Sequence, residues 1–511
     1  MMRKFMKVRY KVNLTNTPQF KVTAKLRCTY NPLSRGETTV VSNSIKRKLG
    51  CVIGVFALLF SLGSQAQSLN QSLQNAFNRL QQDTQNTYAS VSLTVLDAKT
   101  GEVIFTANPN MGLATASTLK TITTVTVMNV LGPDYRFKTT LNGSLNGTLT
   151  VDGTWNGDII INGGDDPTLA STRWDETKES VVLQQFVDGL RKAGIKKING
   201  AIIGNGTDHA QQGWIWQDLG NYYGAFANNL CWRENQYDVL LRPTQVDRPV
   251  AIEGTVPAMP YLQFSNQLKT GTAGSGDNAY ARLPVGSNKV FLQGTYATDQ
   301  TKRRISAALP DPAYEAARRL KDTLERLGIS VSGNATSATM LASQNGVPSI
   351  ASGKVFATHL SPPLRKVIYW LNKKSINLYA EQMLLAMGDS LKTDDPPSVT
   401  RNFWKQRGVD VNSLNIVDGS GLSPGDRVTT MTLARILQSA KKEAWFPDFY
   451  ESLPIYNDMH MKSGTINCVL AYAGYQTKNG RELCFSIIVN NYNGSTSAIR
   501  QKMFRVLDEL K

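Results

Sequence analysis

The texture of this chain changes twice, and the two changes divide it into an outer part made by both ends and an inserted middle. Near the start, Leu69, Leu73, Phe77 and Leu80 recur at helical spacing, and Val91, Leu93 and Val95 then alternate as in a strand. Asp97 to Glu102 reads as a turn that returns the chain through Val103 to Thr106, a hairpin. Ile122, Val125, Val127, Met128 and Val130 form a mostly apolar helix that stops at Gly132-Pro133. From about Phe137 the pattern becomes short alternating segments rich in Gly, Asn and Asp, such as Leu141 to Val151 and Asp158 to Asn162. Two helices interrupt it, Ser180 to Ala193 and Pro312 to Leu327, each closed by Gly-Ile (Gly194-Ile195 and Gly328-Ile329). These helix–Gly–Ile–strand units echo one another weakly. From Leu360 strong helices return, and the chain closes with strands over 469–476 and 483–492 and an amphipathic helix from Ser497 to Leu510. The expected fold class is α+β. Residues 67–136 and 346–511 would form two parts of one domain, and 137–345 inserted β-rich domains with a nested insert at about 226–310.

The net charge of +17 suggests nucleic acid until it is located. Residues 1–66 hold 12 of the 56 Lys/Arg and one of the 39 acids, Glu37, so the remaining 44 basic and 38 acidic residues leave only +6. The early segment ends in Lys46-Arg47-Lys48, an apolar run from Cys51 to Leu62, and Ser64-Gln65-Ala66. That is the pattern of a secretory signal, with cleavage expected after Ala66 and export to the periplasm, a peripheral place at the membrane being left open. The run is too short to span a bilayer comfortably. About 45 residues precede it, which suggests a true start downstream of Met1; an uncleaved signal anchor is the alternative. Cys51 precedes the run instead of following it, which excludes a lipoprotein cleavage site.

Other classes fall on composition. A nucleic-acid role loses its support with the leader's charge. His209, His359 and His460 are scattered, so no metal or haem site is expected, and no cofactor. Cys231, Cys468 and Cys484 have no C-x-x-C spacing, which supports neither a disulfide framework nor zinc, and all three read as buried small hydrophobes. A hairpin turned at Asn479-Gly480 sets Cys484 nearer Tyr475, so Cys468 and Cys484 are not cross-strand partners.

The chemistry lies in three short motifs that straddle the middle region. Ser117-Thr118-Leu119-Lys120 places a hydroxyl and an amine one helical turn apart, and such a pair can acylate without a histidine. Alone it is weak, since roughly two S-x-x-K matches arise by chance in a chain this long. Ser375-Ile376-Asn377 follows at the head of a helical stretch, and Lys462-Ser463-Gly464-Thr465 precedes an apolar strand. In this order the set matches S-x-x-K, S-x-N and K-S/T-G of active-site serine penicillin-recognising enzymes. Lys120 can act as base only if burial and a neighbouring cation lower its pKa, and Lys462 would be that cation. Ser375 would bridge the two lysines and relay the proton, and Asn377 would hold the substrate amide. Ser463 would bind a carboxylate, and Gly464 would let the strand approach the substrate. The oxyanion would sit between the N–H groups of Ser117 and Thr465. A second match, Lys269-Thr270-Gly271-Thr272, precedes Ser375 and runs into the turn Ala273 to Asp277, so Lys462 is preferred.

The gap of 255 residues from Lys120 to Ser375 is far longer than in simple β-lactamases, and here the sequence resembles a family. That family is the class C low-molecular-mass penicillin-binding proteins, the D-alanyl-D-alanine carboxypeptidase/endopeptidase family. Gly163 to Leu169 (G-G-D-D-P-T-L), Tyr223-Gly224-Ala225, Pro310-Asp311-Pro312 and Asp418 to Ser423 (D-G-S-G-L-S) look like it too. The resemblance implies a β-lactamase/transpeptidase-like domain, an antiparallel sheet flanked by helices, with inserted domains. It implies an acyl-enzyme on Ser117, peptidoglycan stem peptides as substrate, and β-lactam antibiotics as covalent inhibitors. It also implies that Asp166 approaches the amine of the stem diamino acid. Pro424 stands where several relatives carry a basic residue; either Arg427 substitutes for it or that recognition is absent. The rivals are a β-lactamase and a catalytically silent envelope scaffold.

Overall fold

The computed structural model describes residues 69–209, 213–345 and 350–511; the leader over 1–66 lies outside the described residues. Both ends of the chain build one six-stranded antiparallel sheet in the order Val103–Ala107, Ser90–Asp97, Arg481–Asn490, Val469–Lys478, Met459–Ile466, Ile455–Tyr456. Asp97 closes the first hairpin by accepting from the backbone N–H groups of Lys99 and Thr100. The Asn479-Gly480 turn gives the expected register, with Tyr475 opposite Cys484. One face of the sheet is covered by the first helix (69–81) and the last, Thr496–Leu507, around Phe77, Leu93, Phe485 and Met503. The other face carries the helices Leu119–Val130, Asn377–Leu391 and Thr430–Ala440. This is the expected α+β architecture, an antiparallel sheet flanked by helices.

The helix Leu119–Val130 is buried from Leu119 to Met128, although its run of Thr and Val has low helical propensity. Burial overrides propensity because each hydroxyl finds an acceptor, three of them locally and Thr123 at Gly419 O. Thr121 donates to Thr118 O, Thr124 to Lys120 O and Thr126 to Ile122 O.

In the middle of the chain, the helices Glu179–Lys192 and Pro312–Arg326 end alike: Gly194 and Gly328 have φ of 85° and 83°, and the N–H of Ile195 and Ile329 reaches back to Leu190 O and Leu324 O. The strands that follow lie side by side, Lys197 opposite Ser330 and Ile202 opposite Ala335, both parallel, so the faint internal echo has a structural counterpart. One sheet runs Ala335–Ser337, Ile202–Asn205, Ile159–Asn162, Lys138–Ser144, Ser352–Leu360, drawing its last strand from beyond residue 345. Two smaller sheets lie between Gln236 and Ala308 and share one apolar core with the rest of the middle region. Cys231 and Cys484 are buried, but Cys468 is exposed, because it occupies the tight turn between Met459–Ile466 and Val469–Lys478 with φ 55°.

Candidate active site

Between Leu113 and Lys120, Ser117 alone is half-exposed; its neighbours are buried. It sits in a 3-10 turn, Ala116–Thr118, entered through Ala116 in the left-handed region (φ 45°). The Ala116 carbonyl lies against Gly421 so closely that a Cβ there would be 1.9 Å away, which is why that loop carries glycine. Asp418 shapes the loop by accepting from the N–H groups of Ser420, Gly421 and Ser423 and from Trp214 Nε1 of the middle region. Asp418 to Ser423 is thus a scaffold for the Ser117 turn.

Lys120 Nζ is fully buried and donates to Ser117 Oγ (2.9 Å), Asn377 Oδ1 (2.6 Å) and Ser420 O (2.8 Å). Burial lowers its pKa to about 8, opposed by the charges of Asp418, Glu381 and Asp426. A lysine so placed is partly neutral near physiological pH and touches the hydroxyl it would deprotonate. Lys462 is also buried, and burial followed by the charge of Lys120 pushes it well below its usual value. Repulsion between the two charges acts on both lysines alike, and Lys462 Nζ donates to Ser463 O (2.7 Å). Lys462 and Gly464 share a strand face. A Cβ on Gly464 would meet Thr115 O at 2.5 Å and Ser117 N at 2.9 Å, so the glycine admits the Ser117 turn itself. Ser463 is half-buried and Thr465 exposed. Beyond His460, paired with Ile455, no described strand covers this edge of Met459–Ile466.

Other expected residues stand differently. Ser375 does not begin a helix; it ends Leu364–Lys374 in the left-handed region, and no hydrogen bond joins its side chain to either lysine among the described residues. Asn377 is engaged at both ends of its amide, accepting from Lys120 and donating to Tyr223 O of the middle region (2.8 Å). Asp166 is buried, its Oδ1 accepts from Thr168 N and Oγ1, and burial raises its pKa to about 6. Its Oδ1 contacts are those of a turn former before Pro167, while its Oδ2 is buried with no hydrogen-bond partner among the described residues. Arg427 is exposed and folds back on Pro424 O. Lys269 lies in a small strand of the middle region, Lys269–Gly271, away from the other motifs. Sequence reading marked Asp418 to Ser423 but not their place around Lys120, and it missed the buried acids Glu381 and Asp426, although Glu381 lies one turn after Asn377 on a mostly apolar helix.

A cavity of about 520 Å³ opens beside Ser375 and Asn377, walled by Tyr222, Tyr223 and Tyr280 of the middle region. Residues 73–510 match the model of the D-Ala-D-Ala carboxypeptidase 3 (S13) family. The chain belongs to that family. As a member it is a serine-type D-Ala-D-Ala carboxypeptidase. It is 25% identical over 442 residues to a D-alanyl-D-alanine carboxypeptidase of an Actinomadura species, covering 79% of this chain and 78% of that one. It is 25% identical over 457 residues to the D-alanyl-D-alanine carboxypeptidase DacB of Haemophilus influenzae, covering 82% and 88%. Its fold matches the crystal structure of penicillin binding protein 4 of the same organism, with a TM-score of 0.68 at 22% identity over 87% of this chain and 98% of that one. No described helix is long and apolar enough to cross a membrane.

Proposed function

We propose that Ser117 Oγ attacks the carbonyl of a D-Ala-D-Ala terminus of a peptidoglycan stem peptide while Lys120 takes its proton. The resulting ester is then hydrolysed by water. The observation that carries this is the 2.9 Å contact of a buried, lowered-pKa lysine with the half-exposed serine. Lys462 and Asn377 hold the site's shape around Lys120. Ser375, beside the cavity, is placed to meet the leaving group. The free edge over Lys462 to Ile466 suits an extended peptide added as a strand, with the Ser463 and Thr465 hydroxyls toward its carboxylate. Ser117 N lies close to Gly464, which supports an oxyanion site between the N–H groups of Ser117 and Thr465. In this reading 67–136 and the chain beyond Leu360 form the transpeptidase-like domain, and the middle region, with the strand Ser352–Leu360, is inserted. The protein works in the periplasm, and β-lactams acylate Ser117; a solved structure of the Haemophilus influenzae protein is complexed with a β-lactam.

A fluorescent penicillin should label the mature protein covalently, and Ser117→Ala should abolish the label. Labelling that persists in Ser117→Ala would overturn the assignment. Rapid turnover of nitrocefin in place of a stable adduct would favour a β-lactamase, and no reaction at all a silent scaffold.

A further inference from the structure

Three oxygens surround the buried amine of Lys120, and only one of them can give it a proton. Lys120 Nζ lies 2.9 Å from Ser117 Oγ, 2.6 Å from Asn377 Oδ1 and 2.8 Å from Ser420 O. A lysine ammonium has three N–H groups, one for each oxygen. The neutral amine keeps two and gains a lone pair. Asn377 Oδ1 and Ser420 O can only accept, so while they hold the two N–H groups the lone pair points at Ser117, whose hydroxyl can donate. The aim of the base therefore depends on how firmly those two acceptors are held.

Both are braced from the middle region. Tyr223 O accepts from Asn377 Nδ2 (2.8 Å), which fixes the amide so that its oxygen faces Lys120. Ser420 O belongs to the loop shaped by buried Asp418, whose Oδ1 accepts from Ser420 N (3.0 Å) and Gly421 N (2.6 Å). Asp418 Oδ2 accepts from Ser423 N (2.7 Å) and, from outside the loop, from Trp214 Nε1 (2.8 Å). Ser423 Oγ donates back to Gly213 O (2.9 Å), and a Cβ on Gly213 would lie 2.8 Å from that hydroxyl, so the two segments are in close contact. The outer part of the chain also ties this loop, through Gly419 N to Glu381 Oε2 and Thr123 Oγ1 to Gly419 O. The Trp214 tie is one that a side-chain change can cut without touching Lys120, Ser117 or Asn377.

We propose that Trp214 is a positioning residue for acylation: by holding Asp418 it keeps Ser420 O on Lys120 and the lone pair of the base aimed at Ser117. The inserted middle region is then part of the catalytic apparatus. The inference rests on the Ser117 reading. In the step it serves, the Ser117 Oγ–H bond breaks, the proton passes to Lys120 Nζ, and the freed Oγ electron pair forms the bond to the acyl carbon. Without the indole N–H, Ser420 O is held less firmly, an N–H of the amine turns toward Ser117 Oγ, and the lone pair turns away.

The test is a double-mutant cycle read by the rate of labelling with fluorescent penicillin. Trp214→Phe keeps an aromatic ring and removes the donor. It should slow acylation about tenfold, short of the 10²-fold cost of a full 1 Å misplacement. The rate is taken from the chains that label, so loss of folded protein does not mimic it. In Lys120→Ala no amine remains to be aimed, and adding Trp214→Phe should change the residual rate by less than about twofold. Trp216→Phe, at an exposed site two residues on, should label at the wild-type rate. A wild-type rate in Trp214→Phe would overturn the proposal. So would a tenfold loss that persists beside Lys120→Ala, or an equal loss in Trp216→Phe, since a merely structural role gives those results. The failures are distinguishable: an unlabelled Ser117 in the wild type removes both readings, and a labelled one with Trp214→Phe unaffected removes this inference alone.

Discussion

Two lysines are sealed into the same site, and their surroundings differ. Lys120 donates to three oxygens and has three carboxylates near it, so burial brings it down only to about 8. Lys462 donates to the carbonyl of its own neighbour, and no carboxylate supports its charge, so it falls well below its usual value. The amine that touches the nucleophile is thus held near the edge of neutrality. Lys462 lacks such partners, and an anion placed beside it would raise its pKa. The two lysines are not interchangeable.

The largest effect should come from the amine that touches the serine. Lys120→Ala should slow acylation by fluorescent penicillin by about 10³-fold or more, the upper range for a lost proton-transfer group. Lys462→Ala should cost about 10²-fold through lost electrostatic support, and Lys269→Ala nothing. Stopped-flow labelling rates check all three. Equal losses at Lys120 and Lys462 would erase the distinction between them, and an impaired Lys269→Ala would move the site.

The strand carrying Lys462 is positioned by what Gly464 lacks. A Cβ there meets only backbone atoms of the Ser117 turn, which cannot swing aside. Gly464→Ala should therefore displace Ser117 from Lys120 and slow acylation by up to about 10²-fold, the cost of a misplacement near 1 Å. A wild-type rate would show that the two segments are not held in contact.

Much of the fold was legible because its signals are local. The Asn479-Gly480 turn fixes Tyr475 opposite Cys484, and the two Gly-Ile helix ends lead into neighbouring strands. The three motifs announced Ser117, Lys120, Asn377 and Lys462. What was not legible depends on packing between distant segments. Nothing local says that Asp166 turns inward onto Thr168, that Gly464 faces the Ser117 turn, or that Cys468 lies outside while Cys484 lies in the core. Ser375 stands just before the helix Asn377–Leu391, yet it caps the preceding helix in the left-handed region, which a sequence does not advertise at a non-glycine residue.

The smallest effect tests the carboxylates that distinguish the Lys120 surroundings. Glu381 is raised to about 8 by burial and then by Asp418, and it accepts from Gly419 N in the loop that presents Ser420 O to Lys120. Acylation needs neutral Lys120, so its rate should rise with pH through about 8. The charge of Glu381 appears over that same range and opposes loss of the lysine proton. Glu381→Gln cannot develop that charge, so the limb should move to lower pH by less than about one unit. Rates measured from pH 6 to 9.5 decide it; an unmoved limb would mean that the carboxylates do not tune Lys120. Stability gives a second reading of known sign. A carboxyl raised from its usual 4.5 to about 8 stabilises the fold while protonated and loses that contribution as pH climbs through this window. The glutamine suffers no such loss, so the Tm of Glu381→Gln relative to wild type should increase from pH 5 to pH 8.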